Sequence, residues 1–381
     1  MWLLYTICCL LCAAYCSIII TYRVWFKKLK PFQPSKSIHP YHFFSVIIPA
    51  RNEAANITSC LQSIVASNYP QVYYEIIVID DFSTDDTPEC IRKMQQQYSH
   101  IKLLSLKALI GNRSFLAYKK KAIELAITEA KGDWIVTTDA DCIVPTNWLS
   151  NLNDYIQQTN AVFVAAPVSF INTHSFISLF QCLDFMSLQG ITAAAVSAGV
   201  HSMCNGANLA YSKAIFYAVD GFKGIDTIAS GDDMLLMDKI QKQYPGSVGY
   251  LFNNNSIVQT LPMPTWKDFI NQRIRWASKT GKYTDKKIIA VLALVYLFNL
   301  SLLILFIACF FVPELFVLWL ILLMVKTICE LSFMMPVAHF FKQEKLLIWF
   351  PVMQPFHIIY TVVAGWLGLF GSYQWKDRKV K

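Results

Sequence analysis

Three acidic pairs stand out in the chain: Asp80-Asp81, Asp139 with Asp141, and Asp232-Asp233, followed by the box Gln272-Arg273-Ile274-Arg275-Trp276. Carboxylates one residue apart on an exposed turn, as in Asp139-Ala140-Asp141, can hold a hard divalent cation and a ribose hydroxyl together. Mg2+ or Mn2+ held this way also bridges diphosphate oxygens. Asp81 can accept from a base N–H or a ribose hydroxyl. One of Asp232 and Asp233 can deprotonate an acceptor hydroxyl; adjacent carboxylates point differently, so only one can do so, and Asp233 is favoured. Arg275 can hold a departing diphosphate bidentately, and Trp276 can stack on a sugar or wall an acceptor channel. One lysine of the run Lys119-Lys120-Lys121 can reach the diphosphate. These are the groups that a metal-dependent enzyme handling a sugar diphosphate needs.

Each has a plainer reading. An Asp-x-Asp turn is common on solvated surfaces. Ser83, Thr84 or Asp85 can cap a following helix, and Asp85 and Asp86 are assigned to capping here. Asp232 and Asp233 open a helix, where caps are also found. Lysine runs usually face solvent, and Trp and Arg are enriched at membrane interfaces. His201, Cys142 and Cys204 stand singly and read as structural.

Elements must position these groups. Phe44–Pro49, Glu75–Ile79, Ile101–Leu106 and Trp134–Thr138 are continuous apolar runs of strand length, alternating with helical patterns at Asn56–Ala66 and Ser114–Ala130. Such alternation predicts a parallel sheet covered on both faces, with ligands at the carboxyl ends of the strands. Asp80-Asp81 and Asp139 end two of those strands, so they should converge on one cleft. Further on, a strand is expected near Ala161–Val168, a helix near Ser175–Ser187, a loop at Cys204–Leu209, a helix over Asp233–Gln243, and an amphipathic helix over Thr265–Tyr283. The last has the composition of an interfacial helix.

Composition adds a membrane. Hydrophobic residues make up 55% of the 381, and mean hydropathy is +0.39. The excess sits at residues 2–20 and 288–371. Ile288–Val312 and Leu315–Met335 read as two spans, and Leu346–Ser372 as a third segment broken by Pro351 and Pro355. Lys326 and Glu330, one helical turn apart, should pair within the second span. Arg23, Lys27 and Lys28 follow the first apolar run instead of preceding it, which predicts a retained anchor with the next region in the cytosol. The net charge of +8 is gathered beside the apolar segments, which suits anionic lipid headgroups and excludes nucleic acid as a partner. The 11 cysteines form no paired framework, which fits a reduced compartment.

Taken together, SVIIPARNE (45–53), VIDDFSTDDT (78–87), TTDADCIVP (137–145), SGDDMLL (230–236) and QRIRW (272–276) resemble the motifs of family 2 glycosyltransferases. The layout is similar to the membrane-bound members, such as ceramide glucosyltransferases and the cellulose and hyaluronan synthases. The resemblance implies a GT-A fold: a Rossmann-like, mostly parallel α/β sheet with helices on both faces. It places Pro49, Glu53 and Asp81 at the nucleoside, Lys119 near the diphosphate, Asp139 at ribose, phosphate or metal, and Asp141 on the metal. Asp233 matches the catalytic base, Asp232 stands where the family usually has Glu, and Gln272, Arg275 and Trp276 match the box that closes over donor and acceptor.

The expected organisation is an anchor (1–22), a linker (23–43), the GT-A domain (44–263), an interface helix with the QRIRW box (264–287), a transmembrane region (288–372) and a basic tail (373–381). The expected activity is inverting transfer of a sugar from a UDP- or GDP-sugar to a lipid or polyprenol-linked acceptor. It would use Mg2+ or Mn2+ at the cytosolic face of a bacterial inner membrane. The alternatives are a processive polysaccharide synthase subunit, told apart by a product ladder, and a non-catalytic nucleotide-sugar-binding membrane protein, which would have no need of Asp233 or Arg275.

Overall fold

The computed structural model describes the chain apart from residues 1, 36–40, 112–114, 201–202, 229, 280–284, 371–372, 376–377 and 381. The expectations placed on Ser114, His201 and Tyr283 lie outside the described residues. In order, the chain forms α1 (Trp2–Lys28), β1 (Phe44–Ala50), α2 (Ile57–Val65), β2 (Tyr74–Asp80), α3 (Thr87–Gln97), β3 (Ile101–Ser105), α4 (Leu106–Ile110) and α5 (Tyr118–Glu129). Next come β4 (Trp134–Thr137), α6 (Trp148–Gln158), β5 (Phe163–Ala165), β6 (Val168–Phe170), α7 (Phe176–Ser197), β7 (Leu209–Ser212), α8 (Lys213–Ala218) and α9 (Met234–Gln243). The remainder is β8 (Val248–Tyr250), β9 (Val258–Thr260), α10 (Trp266–Ala277), α11 (Lys286–Ala308), α12 (Leu315–Phe341), α13 (Phe350–Phe370), β10 (Tyr373–Trp375) and β11 (Arg378–Val380). Two compact units result: Lys30–Phe170 with Ser202–Leu261, and Met1–Leu29 with Ile171–His201 and Pro262–Lys381.

The first unit is built on a seven-stranded sheet in the order β3-β2-β1-β4-β7-β5-β8. β3, β2, β1 and β4 run parallel, and β7 is antiparallel to both β4 and β5. Successive residues of β2 are all buried, as are Val46, Ile47 and Ile48 of β1. A strand whose every side chain is buried must be covered on both faces, which is why these strands read as unbroken apolar runs. The expected single strand near 161–168 is instead β5 and β6, parted at Ala166-Pro167, because proline has no N–H to continue a ladder. β7 falls where the sequence predicts only the end of a loop.

Beneath the amino end of the sheet lies a buried carboxylate. Glu75 accepts from Ser45 Oγ at 2.7 Å, from the Lys131 amide at 2.5 Å and from Lys102 Nζ at 2.6 Å. Burial raises its proton affinity, but the bonds from Lys102, Lys131 and Ser45 outweigh this and hold the carboxyl below its ordinary range. Ser45 Oγ also receives the Gly132 amide at 2.8 Å, and a Cβ on Gly132 would stand 2.6 Å from the Ser45 nitrogen.

In the second unit, α1, α7, α11, α12 and the segment Glu344–Phe370 are each long and apolar enough to cross a membrane. Two expectations change here. α7 extends ten residues past Ser187, because Leu188–Ser197 continues the apolar helical pattern without a break. The third C-terminal segment is not broken: the helix α13 runs from Phe350 to Phe370. Pro351 sits in its first turn, where a missing N–H is no loss, and Pro355 is carried inside the helix. Lys326 and Glu330 pair as expected at 2.7 Å. Gln354 extends the pair, accepting from Lys326 at 2.6 Å and donating to Glu330 at 2.6 Å, and Tyr15 of α1 donates to Glu330. Three helices thereby satisfy one buried charge pair.

Replacing Glu75 by Gln should lower stability by about 2 kcal/mol, since Lys102 and one amide lose a charged acceptor. Because the folded-state pKa lies below the ordinary 4.5, this contribution is full above about that pH and fades as pH falls through the lower folded value. Thermal unfolding in detergent at pH 7 and at about pH 4 tests both points: the wild-type advantage over Glu75→Gln should shrink at the acid end.

Candidate active site

The turns that follow β1 and β2 are stitched together. Arg51 donates through Nη1 to the carbonyls of Asp81 and Phe82 at 2.8 and 2.9 Å. Asn52 accepts the Thr84 amide at 2.8 Å and gives its own amide to Ser83 Oγ at 3.0 Å. Asn52 and Phe82 both adopt positive φ, at 52° and 56°, so each turn folds back sharply toward the other. Asp80 receives the Ser83 amide at 3.3 Å, which leaves it a turn-former, while Asp81 is buried beside it. Glu53 gives its amide to Thr87 Oγ1 at 2.8 Å and holds the Asn56 side chain at 3.0 Å.

Capping before α3 belongs to Asp85 alone. Its carboxylate takes the Thr87 amide at 3.1 Å, the Thr87 hydroxyl at 2.5 Å and the Ala54 amide at 3.1 Å. Its slight burial raises the pKa, and the bonds from Thr87 and Ala54 overturn that and lower it. Asp86 stands at the N-cap position of α3, yet its side chain makes no cap bond, which corrects the shared assignment. The reach to an amide two residues on is the Asx geometry, and only Asp85 stands at that distance from Thr87.

The second and third acidic pairs do not lie apart. Lys119 Nζ is 2.8 Å from Asp139 Oδ1 and 3.4 Å from Asp232 Oδ2. Burial works against the Lys119 charge, but Asp139, Asp232 and Asp233 outweigh it and hold the ammonium well above the ordinary lysine range. Gly206 completes the cluster. Its carbonyl accepts Thr137 Oγ1 from β4 at 2.8 Å, and its amide gives Asp233 Oδ2 a bond of 3.1 Å. A Cβ there would meet Asp232, Lys119 and Asp233 at 3.5 to 3.7 Å. The loop holding Gly206 is fixed by buried Asn208, which accepts from Trp148 Nε1 at 2.9 Å and donates to the carbonyls of Pro167 and Ser256 at 2.8 Å each. The sequence reading missed Asn208, Gly206 and Arg51; an Asn-Gly-Ala-Asn loop signals only a turn.

Asp233 also caps α9, taking the Met234 amide at 2.7 Å. The plainer reading of this residue therefore holds, and two backbone amides fix its orientation. Asp139 and Asp141 are half-buried over the thiols of Cys60 and Cys142. Cys60 reaches the Asp139 carbonyl at 3.6 Å and Cys142 the Asp141 carboxylate at 3.7 Å. Burial and the nearby aspartates keep both thiols protonated. Among the described residues no three His, Cys, Asp or Glu side chains form a ready metal cage. Two carboxylates with oxygens supplied from elsewhere fit Mg2+ or Mn2+, ions that keep much of their shell for water and phosphate, better than a soft metal.

Pro49 lies in β1. Gln272, Arg275 and Trp276 lie on α10, in the other unit. On α10 the deeply buried cation is Arg273, not Arg275: Arg273 bonds Asp184 of α7 at 2.6 Å. Its guanidinium lies 4.7 Å from the Phe269 ring centre and 4.2 Å from that of Trp276. Tyr360 of α13 donates to the same Asp184. The helix thus packs its aromatic face on α7 and α13 more than a lone interfacial helix would, because Phe180, Phe356 and Tyr360 offer its Trp266 and Phe269 an apolar seat.

Comparison with known proteins bears on this site. The sequence model described as "Glycosyl transferase family 2" matches residues 45–218, and that of "Glycosyl transferase family group 2" matches residues 134–367. Glycosyltransferase AglE of Haloferax volcanii is 31% identical over 128 residues, 34% of this chain and 40% of its own length. Beta-monoglucosyldiacylglycerol synthase of Synechocystis is 29% identical over 116 residues, 30% of this chain and 23% of its own. The matched stretches thus span two fifths or less of these curated relatives. Among solved structures, the mannosyltransferase PcManGT of Pyrobaculum calidifontis, determined with GDP-Man and Mn2+, superposes with a TM-score of 0.61 at 19% identity. That match covers 95% of this chain and 99% of that one, and it shows the GT-A-like fold.

Asp233→Ala should lower stability by about 1–2 kcal/mol, because the Met234 and Gly206 amides lose their acceptor, whereas Asp233→Asn should keep most of it, since Asn also caps. Parallel thermal melts of the two variants measure the difference.

Proposed function

The chain belongs to the family 2 glycosyltransferases, and from that membership we propose that it moves one sugar from a nucleotide-sugar to a lipid or polyprenol-linked acceptor at the cytosolic face of a bacterial inner membrane. The observation that carries the reading is the Lys119 ammonium between Asp139 and Asp232. One cation there faces both the donor-side Asp139 and the acceptor-side pair Asp232-Asp233. A diphosphate needs that positive charge; the acceptor hydroxyl needs a carboxylate beside it.

The proposed roles follow. Pro49, Glu53 and Asp81 line the nucleoside end, where Arg51 holds the Asp81 turn. Asp139 and Asp141 would hold Mg2+ or Mn2+, which supplies charge to balance the diphosphate when bound. Asp233 takes the proton from the acceptor hydroxyl as that oxygen attacks the anomeric carbon from the face opposite the leaving nucleotide, so the anomeric centre inverts. Asp232 stays with Lys119. Gln272, Arg275 and Trp276 are assigned to the leaving diphosphate and acceptor. Among the described residues, five apolar helices of spanning length support a lipid acceptor, as does the similarity to a protein named as a glucosyldiacylglycerol synthase.

Incubating the detergent-solubilised protein with a panel of UDP- and GDP-sugars and membrane lipids, then weighing the lipid products, tests the reading. A single added sugar is expected; a ladder would mark a polymerising enzyme, and no product from any donor would sink the proposal. Asp141→Ala should abolish the part of donor binding that depends on Mn2+, as read by calorimetry with and without chelator. Asp233→Asn should keep donor affinity and stability while turnover falls by about 10²-fold or more; a larger loss in Asp232→Asn would move the base to Asp232.

A further inference from the structure

Consecutive lysines on α5 do three different things. Lys119 joins the acidic cluster, and Lys121 pairs with Glu124 at 2.7 Å on a partly exposed face. Lys120 turns inward and is only 1% exposed. Its Nζ donates to the carbonyls of Ile225, Ile228 and Ser230 at 2.7, 2.7 and 3.0 Å. An ammonium has three N–H groups, and three carbonyl oxygens converge on this one. They belong to the stretch between α8 and α9 that leads into Asp232 and Asp233. The earlier part of the same stretch is held by Lys239 of α9, whose Nζ donates to the carbonyls of Gly221 and Lys223 at 2.6 and 2.9 Å.

Burying an ammonium is costly unless its hydrogen bonds are replaced, so the carbonyls and the cation fix one another. Ser230 stands two residues before Asp232. On the other side, Lys119 holds Asp232 directly. One turn of α5 therefore grips the acidic pair twice, once through its backbone approach and once through a carboxylate.

We propose that Lys120 is a positioning residue for sugar transfer: by gathering the carbonyls of residues 225, 228 and 230 it places Asp232 and Asp233 for the acceptor hydroxyl, without itself touching substrate. The inference rests on the transferase reading above. Lys239, which holds residues farther from the acids, contributes stability rather than placement.

The test begins with wild-type transfer; its absence overturns the transferase reading, and this inference with it, before any variant is made. Lys120→Met keeps an apolar stem and removes the ammonium with its three N–H donors. Turnover should fall by about 10²-fold, the scale of a misplaced catalytic group, with donor KM changed less than about threefold by the same argument. Lys239→Met should lower the melting temperature yet leave turnover within about threefold. Lys120→Ala removes the three atoms beyond Cβ that carry the amine. Added n-propylammonium should restore part of its turnover, and tetramethylammonium, which has no N–H to give, should not. Wild-type turnover in Lys120→Met overturns the inference. So does an equal loss in Lys239→Met, or an alanine variant that folds and binds donor but responds to neither amine. Should the alanine variant fail to fold, the split between kcat and KM in Lys120→Met against Lys239→Met decides.

Discussion

Carboxylates crowded at one end of a sheet repel one another, and at a few ångströms in a half-buried site that repulsion is worth several kcal/mol. Asp139 arrives from the end of β4, and Asp232 and Asp233 from the turn before α9, nearly a hundred residues later in the chain. The Lys119 ammonium, within 2.8 Å of one and 3.4 Å of another, is what lets them share the space. Much of the surrounding architecture serves to deliver that one cation and those carboxylates. β4 leads to Asp139, α5 carries the lysine, Gly206 gives its amide to Asp233, and Asn208 pins the loop on which Gly206 rides. The same balance leaves Lys119 a charge for which an anionic ligand can compete with the carboxylates.

The parallel core was legible because strands buried on both faces carry apolar runs, and Val46–Ile48, Ile76–Ile79 and Trp134–Val136 are such runs. The carboxyl-end rule then puts Asp81 and Asp139 just past the ends of β2 and β4. What escaped is what depends on pairing across long stretches of chain. β7 is short, antiparallel and preceded by a loop, so periodicity had little to act on. The role of Asn208 rests on partners at Trp148, Pro167 and Ser256, none of them near it in sequence. The prolines of α13 read as breaks because local rules penalise them, yet Pro351 falls in a first turn where the penalty vanishes.

The QRIRW segment shows a second limit. Composition favoured interface anchoring for Arg275 and Trp276, the resemblance pointed to them as site residues, and nothing in the motif singles out Arg273. Helical spacing, however, puts Phe269, Arg273 and Trp276 on neighbouring positions of one face, and an aspartate in α7 waits opposite. A charged residue inside an apolar face is the sign that a partner exists elsewhere; the sequence shows the first and hides the second.

Phe356, Tyr360, Ala364 and Gly368 recur every fourth residue along α13, and α10 lies along this row. Trp266 stacks on Phe356, Ile274 packs at Ala364, and a Cβ on Gly368 would come within 2.5 Å of that of Ala277. With backbones this close at one end and the Asp184 bonds in the middle, the two helices cannot roll or slide past each other; they move as one lever. In a bilayer whose thickness departs from the length of α13, that helix answers by changing its tilt, and α10 must swing with it. Lipid composition would then reach the QRIRW box as a mechanical input, through a stripe of small and flat side chains that carries no charge.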